Sequence, residues 1–359
     1  MRHLILLGTG GTIATTDGPG GRRVGVPTAE LLAASTAVWA DPAVRVEVRE
    51  VRRTVSFAAT VADALALAAT VRELGAAADG VVITHGTDTM EEVAFLLGLA
   101  HGSDVPVVLT GAQRPYGHPG ADGPRNLAAA LRWAASPAAR GTGVTVAFDD
   151  RVWPAAGVRK VSSLALAAFA APGRGPVAHV DEAGVRPHAV PPRPAPLLTG
   201  RHDDLPRVDV VPQYLGADAT AVHAARRAGA RGLVVAGFGV GNATPEVVRA
   251  CLDLLREGVP VAVASRVGEG PVLGLYAGAS AELSAAGALF AGDLSPWQAR
   301  LLLAAALAAE PGAGPAEAAR RCRAWLAEAG ALSPSGTSTY TYTGTGTGTA
   351  GVPGPVREV

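Results

Sequence analysis

The chain has 359 residues, and its 31 Lys and Arg residues balance 31 Asp and Glu residues. This length is typical of two domains, and a 48% share of hydrophobic residues allows a sizeable core. The zero net charge argues against a nucleic-acid partner and against binding to an anionic membrane surface, and two cysteines are too few for a disulfide framework or a metal site.

The first predicted element is the apolar run Leu4–Leu7. It is much too short for the apolar region of a secretory signal and ends in a glycine-rich turn, so we interpret it as a buried strand. No stretch of the chain reaches the roughly 18 uninterrupted apolar residues that a membrane-spanning helix needs. We therefore expect a soluble cytoplasmic protein with no membrane partner.

Short β-branched runs alternate with Ala- and Leu-rich stretches in the first half of the chain. This alternation predicts crossover units and a parallel sheet that is covered on both faces. The predicted strands are Leu4–Leu7, Val44–Val51, Val81–Thr84, Val105–Thr110 and Val144–Phe148, and the predicted helices are Ala58–Leu74, Met90–His101 and Asn126–Ala135. Ligands of such sheets bind beyond the carboxyl ends of the strands, so chemistry is expected there.

A proline-rich polar stretch over 187–206 predicts a linker, and a second alternating block follows it. The predicted strands of this block are Val208–Val211, Gly232–Ala236 and Val259–Ser265, and its helices are Ala219–Ala228, Pro245–Glu257, Pro296–Ala309 and about Pro315–Ala329. The Ser/Thr/Gly/Pro-rich tail predicts disorder. We therefore predict a larger N-terminal α/β domain over 1–186, the linker, a smaller C-terminal α/β domain over 207–332 and a disordered tail over 333–359.

A glycine-rich turn, G-T-G-G-T over Gly8–Thr12, follows the first strand. It does not fit a dinucleotide-binding motif, because that motif needs a small residue where Ile13 stands and an acidic residue at the end of a second strand. Two interpretations of the turn stay open. Either the glycines bring a nucleophilic Thr12 close to a ligand, or the Thr12 hydroxyl only caps the turn.

A second polar motif, T-H-G-T-D-T over Thr84–Thr89, lies between a predicted strand and a predicted helix. The free N–H groups of a helix N-terminus suit a carboxylate or an oxyanion, which favours a ligand site. Asp88 could instead be a simple helix cap, with Glu91 and Glu92 as favourable charges in the first turn. We interpret His85 as a hydrogen-bonded structural histidine rather than a base.

At these motifs the chain resembles bacterial L-asparaginases of the homotetrameric α/β kind. The resemblance runs from about Leu4 to Leu326 and is specific because several motifs occur in the right order. They are T-G-G-T-I-A (Thr9–Ala14), H-G-T-D-T-M-E-E (His85–Glu92), G-A-Q-R-P (Gly111–Pro115), A-D-G-P-R-N-L (Ala121–Leu127), G-V-R-K-V-S-S (Gly157–Ser163) and G-F-G-V-G-N-A (Gly237–Ala243).

The resemblance implies that Thr12 is the nucleophile and that Thr87, Asp88 and Lys160 form a threonine–acid–lysine triad. An amide is a poor electrophile and a threonine hydroxyl is a poor nucleophile, so a base and an oxyanion hole are needed. Burial disfavours the charged form of a lysine, so Lys160 could act as a base through Thr87. Taken alone, Lys160 would more simply be a solvated surface residue.

The implied substrate-binding residues are Gly11, Ser56, Gly86, Thr87, Asp88, Ala112 and Asn242. By the resemblance, Ser56 holds the α-carboxylate of the substrate and Asp88 pairs with its α-ammonium group. The carbonyl of Ala112 faces the side-chain amide, and Asn242 reaches the active site of a neighbouring subunit. The resemblance thus implies a homotetramer built from intimate dimers.

The chain departs from the family pattern in the segment that follows the nucleophile. The family carries an activating tyrosine there, whereas Thr15–Val26 contains none, although its glycines still predict a mobile lid. Tyr116 and Tyr276 are the two candidates for this role, and the sequence does not rank them. Phe57 stands where the family has a glutamine, and the family's neighbour-subunit glutamate has only weak counterparts, which are Glu269 and Glu282.

These features predict hydrolysis of L-asparagine to L-aspartate and ammonia through an acyl-enzyme on Thr12, without a metal or an organic cofactor. Two alternatives are open. One is hydrolysis of another side-chain amide, such as glutamine or a peptide- or tRNA-linked amide. The other is a non-catalytic amino-acid binding protein on the same scaffold, although such a protein would not need a nucleophile.

Overall fold

A computed structural model describes residues 1–310, 312 and 314–331 of the chain. The disorder predicted for 333–359 lies outside these residues. Within them, no helix is long and apolar enough to cross a membrane.

The N-terminal part of the chain, up to Pro187, forms an eight-stranded sheet, two small two-stranded sheets and four helices. The elements in chain order are β1 (Arg2–Gly10), β2 (Thr15–Gly18), β3 (Gly21–Val24), α1 (Thr28–Thr36), β4 (Val44–Thr54), α2 (Val61–Gly75), β5 (Gly80–Thr84), α3 (Met90–Ala100), β6 (Val107–Thr110), α4 (Gly123–Ala135), β7 (Val144–Phe148), β8 (Arg151–Pro154), β9 (Arg159–Lys160), β10 (Phe169–Ala170), β11 (Ala178–Asp181) and β12 (Gly184–Pro187).

The large sheet has the strand order β12-β11-β8-β7-β6-β5-β1-β4. Strands β4, β1, β5, β6 and β7 are parallel, as predicted, whereas β8, β11 and β12 add an antiparallel edge. The reversal occurs at Asp149 and Asp150, which both have positive φ and join β7 to β8. A two-residue hairpin turn needs this conformation and can only connect antiparallel strands.

Prolines and a helix cap shift three of the predicted boundaries. Strand β6 begins at Val107 rather than Val105, and a later strand begins at Val261 rather than Val259, because each follows a proline that cannot donate to the ladder. Helix α2 begins at Val61, because Thr60 and Asp63 form a reciprocal capping box at its start.

The C-terminal part, from Val208 on, contains a four-stranded parallel sheet and five helices among the described residues. Its elements are β13 (Val208–Pro212), α5 (Thr220–Arg227), β14 (Gly232–Gly237), α6 (Pro245–Arg256), β15 (Val261–Ser265), α7 (Ser280–Ala285), β16 (Leu289–Phe290), α8 (Pro296–Ala308) and α9 (Pro315–Glu328). Residues 188–207 form no helix or strand. The chain therefore has a larger N-terminal and a smaller C-terminal α/β part; the exact domain boundaries remain predictions.

The core consists of layers on both sides of the large sheet. One face carries α1 and α4, and the buried side chains between them and the strands include Leu6 and Trp133. The other face carries α2 and α3, and here α8 of the C-terminal part packs against α3. A single apolar cluster therefore runs from Ile83 through Phe95 to Leu302 and joins the two parts.

The register of three parallel strands decides where the site lies. Gly8 of β1 pairs with Thr84 of β5, and Thr84 pairs with Thr110 of β6. The loops that follow these strands therefore leave the sheet at the same edge, at the carboxyl ends of the strands. This edge is where the sequence placed both threonine motifs.

Candidate active site

The loops after β1 and β5 touch through glycines. A methyl group at Gly11, which has a φ of +85°, would lie 2.4 Å from the Cα of Gly86. A methyl group at Gly86 would lie 2.4 Å from the Oγ of Ser56. Because only hydrogen fits at both positions, the loops after β1 and β5 pack backbone against backbone, and the Ser56 side chain packs on Gly86. This contact brings Thr12, which follows Gly11, next to Thr87, which follows Gly86.

A lysine, a threonine and a carboxylate meet at the end of β5. The ammonium of Lys160 donates hydrogen bonds to Thr87 Oγ1 and to Asp88 Oδ1, each at 2.8 Å. Sequence separates Lys160 from this pair by more than 70 residues, and the short strand β9 returns it to the loop. The three residues of the predicted triad are therefore in direct contact.

The cluster formed by Thr87, Asp88 and Lys160 is more buried at its lysine end than at its aspartate end. The Lys160 side chain is 19% exposed, whereas the Asp88 side chain is 54% exposed. Lys160 is also the only lysine in the chain, since the other 30 basic residues are all arginines. An exposed carboxylate beside a buried ammonium leaves room for a charged ligand group at Asp88.

Ser56 lies directly beneath the loop that carries the triad residues Thr87 and Asp88. Its Oγ accepts a hydrogen bond from the backbone N–H of Asp88 at 3.3 Å, and its carbonyl accepts one from Thr89 Oγ1 at 3.1 Å. The Ser56 residue is only 4% exposed. These contacts bring three predicted substrate-binding residues, Ser56, Gly86 and Asp88, into one patch.

The loop after β6 carries Ala112 and is held by one carboxylate. Asp122 accepts hydrogen bonds from the backbone N–H groups of Gln113 and Arg114, each at 2.9 Å. Asn126 Nδ2 donates to the carbonyl of Gly111 at 3.0 Å and to Asp122 at 3.1 Å. The A-D-G-P-R-N motif therefore fixes the loop of Ala112, a role that the sequence did not reveal.

Two buried ionisable groups lie under the cluster. Burial lowers the pKa of His85 to about 4, so its ring is neutral at neutral pH, and it lies 2.7 Å from Thr9 Oγ1 and 3.1 Å from Thr89 Oγ1. Its environment fits the predicted structural histidine. Burial also raises the pKa of the Glu91 carboxyl to about 7, although a hydrogen bond from the backbone N–H of Lys160 opposes this shift.

The similarity to known proteins covers nearly the whole described chain. The model of the asparaginase N-terminal domain matches residues 3–193, and the model of the glutaminase/asparaginase C-terminal domain matches residues 207–320. The chain belongs to the asparaginase family. The family identified from the sequence motifs is therefore confirmed.

Two asparaginase relatives and a solved asparaginase structure agree with this membership. The chain is 36% identical over 308 residues to the probable L-asparaginase of Deinococcus radiodurans, a match that covers 84% of this chain and 92% of that protein. It is 32% identical over 315 residues to the L-asparaginase of Bacillus licheniformis, covering 86% of this chain and 96% of that protein. Its fold matches the crystal structure of a probable cytoplasmic L-asparaginase from Campylobacter jejuni with a TM-score of 0.80 at 32% identity, over 90% of this chain and 99% of that chain.

The nucleophile candidate of this asparaginase lies at the base of an exposed hairpin. Thr12 begins a single 3₁₀ turn (Thr12–Ala14), and β2 and β3 then form an antiparallel pair whose residues are mostly exposed. The hairpin occupies the segment predicted to be a mobile lid, and it contains no tyrosine. One exposed ion pair, Arg22 with Asp17, joins its two strands at 3.3 Å.

The two tyrosine candidates lie in different parts of the fold. The backbone N–H of Tyr116 donates to the carbonyl of Thr15 at 2.8 Å, at the base of the hairpin. Burial and a hydrogen bond with Glu30 raise the pKa of the Tyr116 phenol, which keeps its hydroxyl protonated. Tyr276 lies in the C-terminal part and is 59% exposed. Tyr116 is therefore the candidate that lies beside the hairpin of Thr12, but the raised pKa of its phenol does not favour a role as a base.

Asn242 lies in the C-terminal part, and no hydrogen bond among the described residues joins it to the cluster. Its backbone pairs with Phe238 in a turn after β14, and its Oδ1 is buried without a hydrogen-bond partner. Within the described residues no group of three or more His, Cys, Asp or Glu side chains is placed to hold a metal ion.

Three contacts around Lys160 were not predicted from the sequence. Gln113 accepts a hydrogen bond from the Thr87 hydroxyl at 3.2 Å. The buried Gln298 of α8 bonds the backbone of the loop just before β9, at Ala155, Gly157 and Val158. Arg159 donates to the carbonyls of Val267, Gly268 and Asp293 in the C-terminal part. No local sequence signal marks these residues, because each partner is distant in the chain.

Proposed function

We propose that this chain hydrolyses L-asparagine to L-aspartate and ammonia. The observation that carries the proposal is the ammonium of Lys160, which lies 2.8 Å from both Thr87 Oγ1 and Asp88 Oδ1 beside the loop of Thr12. Membership of the asparaginase family over both parts of the chain supports the same substrate class. These residues lie at the carboxyl ends of the parallel strands, which is where ligands of α/β sheets bind.

The proposed reaction has two steps. In the first, Thr12 Oγ attacks the side-chain amide carbon, the hydroxyl proton of Thr12 passes to the amide nitrogen, the C–N bond breaks and NH3 leaves, with an ester formed on Thr12. In the second, water attacks the ester carbon, its hydroxyl group remains on the carboxyl of the released aspartate, and its other proton restores the Thr12 hydroxyl. Thr87 and Lys160 relay protons, and backbone N–H groups around Thr12 and Thr87 stabilise the oxyanion.

Substrate recognition in this proposal uses opposite charges. The exposed Asp88 carboxylate pairs with the α-ammonium group of asparagine, and the loops of Ser56, Gly11 and Gly86 receive the α-carboxylate. The carbonyl of Ala112 accepts from the side-chain amide. No metal or organic cofactor takes part.

Replacing Thr12 by Ala tests the nucleophile. Ammonia release from L-asparagine should fall by a factor on the order of 10⁴ or more, because the acyl-enzyme cannot form. The variant Thr12→Ser keeps a hydroxyl at the same place and should keep measurable turnover. Circular dichroism should show both variants folded. Normal ammonia release by Thr12→Ala would reject the assignment, and asparagine binding without turnover by the unmodified chain would point to a binding protein instead.

A second amide is a specific alternative at this site. Phe57 follows Ser56 and is 74% exposed, so an exposed aromatic side chain stands next in the chain to the proposed carboxylate-binding residue. An aromatic side chain at this position would favour a substrate with an added apolar group, such as an N-substituted side-chain amide, over asparagine itself. Parallel kcat/KM measurements with asparagine, glutamine and an N-substituted asparagine decide between the two, and preference for asparagine supports the main proposal.

We also propose a homotetramer of intimate dimers located in the cytoplasm. Large apolar side chains are exposed near the cluster and on the C-terminal part; they include Phe57, Leu164, Tyr214 and Leu215. Light scattering coupled to gel filtration should give four times the 36.0 kDa chain mass. A monomer with full activity would contradict this assembly.

A further inference from the structure

Lys160 is held at three points by one short segment of the chain. Its ammonium contacts Thr87 Oγ1 and Asp88 Oδ1, and its backbone N–H donates to Glu91 Oε2 at 2.6 Å. The three acceptors lie within five consecutive residues at the junction of β5 and α3. The Glu91 contact differs from the other two because it fixes the backbone of the lysine and not its charged end.

The strand that carries Lys160 has few backbone hydrogen bonds of its own, and the Glu91 carboxylate accepts a further one at Lys160. Strand β9 has only two residues, and its ladder with β10 pairs Lys160 with Phe169 and Arg159 with Ala170. Two residues of ladder hold a strand weakly. The lysine side chain adds four rotatable bonds between this backbone and the ammonium, so a shift of the backbone moves the ammonium away from Thr87.

Glu91 is placed for this role and is not a surface residue. It lies in the first turn of α3 and is only 7% exposed. The charged groups that face it are Glu92 on the same helix and Arg159 and Lys160 on β9. Burial raises the pKa of Glu91 to about 7. A carboxyl that is costly to bury is retained here with the Lys160 N–H as its hydrogen-bond partner.

We propose that Glu91 is a positioning residue, which sets the distance between the Lys160 ammonium and the Thr87 hydroxyl by accepting the backbone N–H of Lys160. The proposal rests on the proposed function, in which Lys160 and Thr87 relay protons during amide hydrolysis. Glu91 does not touch the substrate. Its effect is on the geometry of a proton relay, where a displacement of about 1 Å can cost on the order of 10²-fold in rate.

Two substitutions separate the effect of the length of the Glu91 side chain from the effect of its negative charge. The variant Glu91→Gln keeps the length of the side chain and an acceptor oxygen, but it removes the negative charge. The variant Glu91→Asp keeps the charge but shortens the side chain by one carbon–carbon bond of about 1.5 Å, so the oxygen no longer reaches Lys160. We expect Glu91→Asp to lower kcat about 10- to 100-fold with KM changed less than about threefold, and Glu91→Gln to stay within about threefold of the unmodified enzyme.

Glu92 provides a matched control on the same turn. Burial raises its pKa as well, but the charge that opposes this shift is that of Arg300 and not that of Lys160. The variants Glu92→Gln and Glu92→Asp should therefore keep kcat within about twofold. Should Glu91→Asp fail to fold, Glu91→Leu fills a similar volume without an acceptor and should show the same loss of kcat.

A second readout does not depend on turnover. Because Lys160 is the only lysine, isotope-labelled lysine gives one side-chain NMR signal from the whole chain. That signal should stay near its original position in Glu91→Gln and move toward the position of a freely solvated lysine in Glu91→Asp. This NMR result tests the positioning role of Glu91 separately from the proposed function. If asparagine is not the substrate, the unmodified chain releases no ammonia, but the Lys160 signal should still move in Glu91→Asp.

The proposal is overturned by either of two outcomes. Folded Glu91→Asp with an unchanged kcat and an unchanged Lys160 signal would show that the contact positions nothing. Loss of kcat in Glu91→Gln with retention in Glu91→Asp would show that the charge of Glu91 acts and not its reach.

Discussion

The two halves of the site are built in different ways. The lysine half, made of Thr87, Asp88, Glu91 and Lys160, is held by side-chain hydrogen bonds from three elements and is packed on the end of β5. The hairpin half, made of Thr12 and the β2–β3 pair, rests on glycine packing at its base and is exposed beyond it. The residues that the resemblance implies are all present in the first half, whereas the second half lacks the implied tyrosine and is the more exposed of the two.

Within the lysine half, the largest effect is expected at Lys160. The variant Lys160→Met removes the ammonium that contacts Thr87 and Asp88, and turnover should fall about 10³-fold, as for other lost proton-transfer groups. Lys160→Arg should not restore it, because the larger guanidinium does not fit between the two acceptors. Ammonia release with asparagine measures this effect. Turnover within tenfold of normal would mean that the lysine half is not the catalytic half.

The glycine contact that joins the two halves should come second. Gly11→Ala places a methyl group 2.4 Å from backbone atoms of Gly86, so we expect a loss of about 3 kcal/mol or more in unfolding free energy together with low activity. Gly20→Ala is the matched control, because its φ of +83° is nearly the same but a methyl group meets nothing within 4 Å.

Only the backbone strain of about 1 kcal/mol should remain in Gly20→Ala. Urea unfolding of both variants gives the comparison. Equal losses would show that the close approach of the two loops is not what requires glycine at position 11.

His85 gives a smaller effect that depends on pH. Its pKa is about 4 in the folded chain and 6.5 as a free group, so the unfolded chain binds more protons between these values and stability falls as the pH decreases. From pH 6.5 to pH 5 this group should remove about 1–2 kcal/mol of stability. The shift at Glu91 has the opposite sign, because a raised carboxyl pKa makes the folded chain bind more protons as the pH falls from about 7.

The difference between the unmodified chain and His85→Gln isolates the histidine contribution. Chemical unfolding at several pH values between 5 and 7 measures it. A parallel pH dependence in the two proteins would mean that the buried ring is not neutral.

The smallest effect is expected at Tyr116, on the hairpin half. Burial and the nearby Glu30 carboxylate raise the pKa of its phenol, so Tyr116→Phe should keep turnover within about threefold, far below the loss expected for a general base. Tyr276→Phe, on an exposed residue of the C-terminal part, is the control. A loss of 100-fold or more in Tyr116→Phe alone would identify it as the group that activates Thr12.

Regular elements with a clear hydrophobic period were predicted well. The bounds of β7 agree at both ends, and α4 and α6 differ from their predictions by three residues or fewer at each end. The hairpin at β2 and β3 was missed because its residues are mostly exposed, and the helix α1 was missed because its nine residues are too few to carry a clear periodic signal. The antiparallel edge was also missed, since the short Asp149–Asp150 turn was not recognised as a hairpin turn.

In the candidate site, too, residues with a local sequence pattern were predicted and residues without one were not. Thr12, Thr87 and Asp88 could be found from the sequence because they stand in glycine-rich motifs at predicted strand ends. Lys160 was assigned only through the family resemblance, since a single lysine far along the chain has no local signal. Gln113, Gln298 and the positioning contact of Glu91 could not be assigned from the sequence, because each depends on a partner far away in the chain.

The sequence by itself determined the α/β class, the two threonine motifs and their family, because hydrophobic periodicity and glycine-rich turns are properties of neighbouring residues. The tertiary structure decided which of those residues meet. The register of β1, β5 and β6 sets their loops at one edge of the sheet, and the short strand β9 returns Lys160 to Thr87. Distances between residues that are more than 70 positions apart follow from the packing of the whole sheet and not from any local pattern.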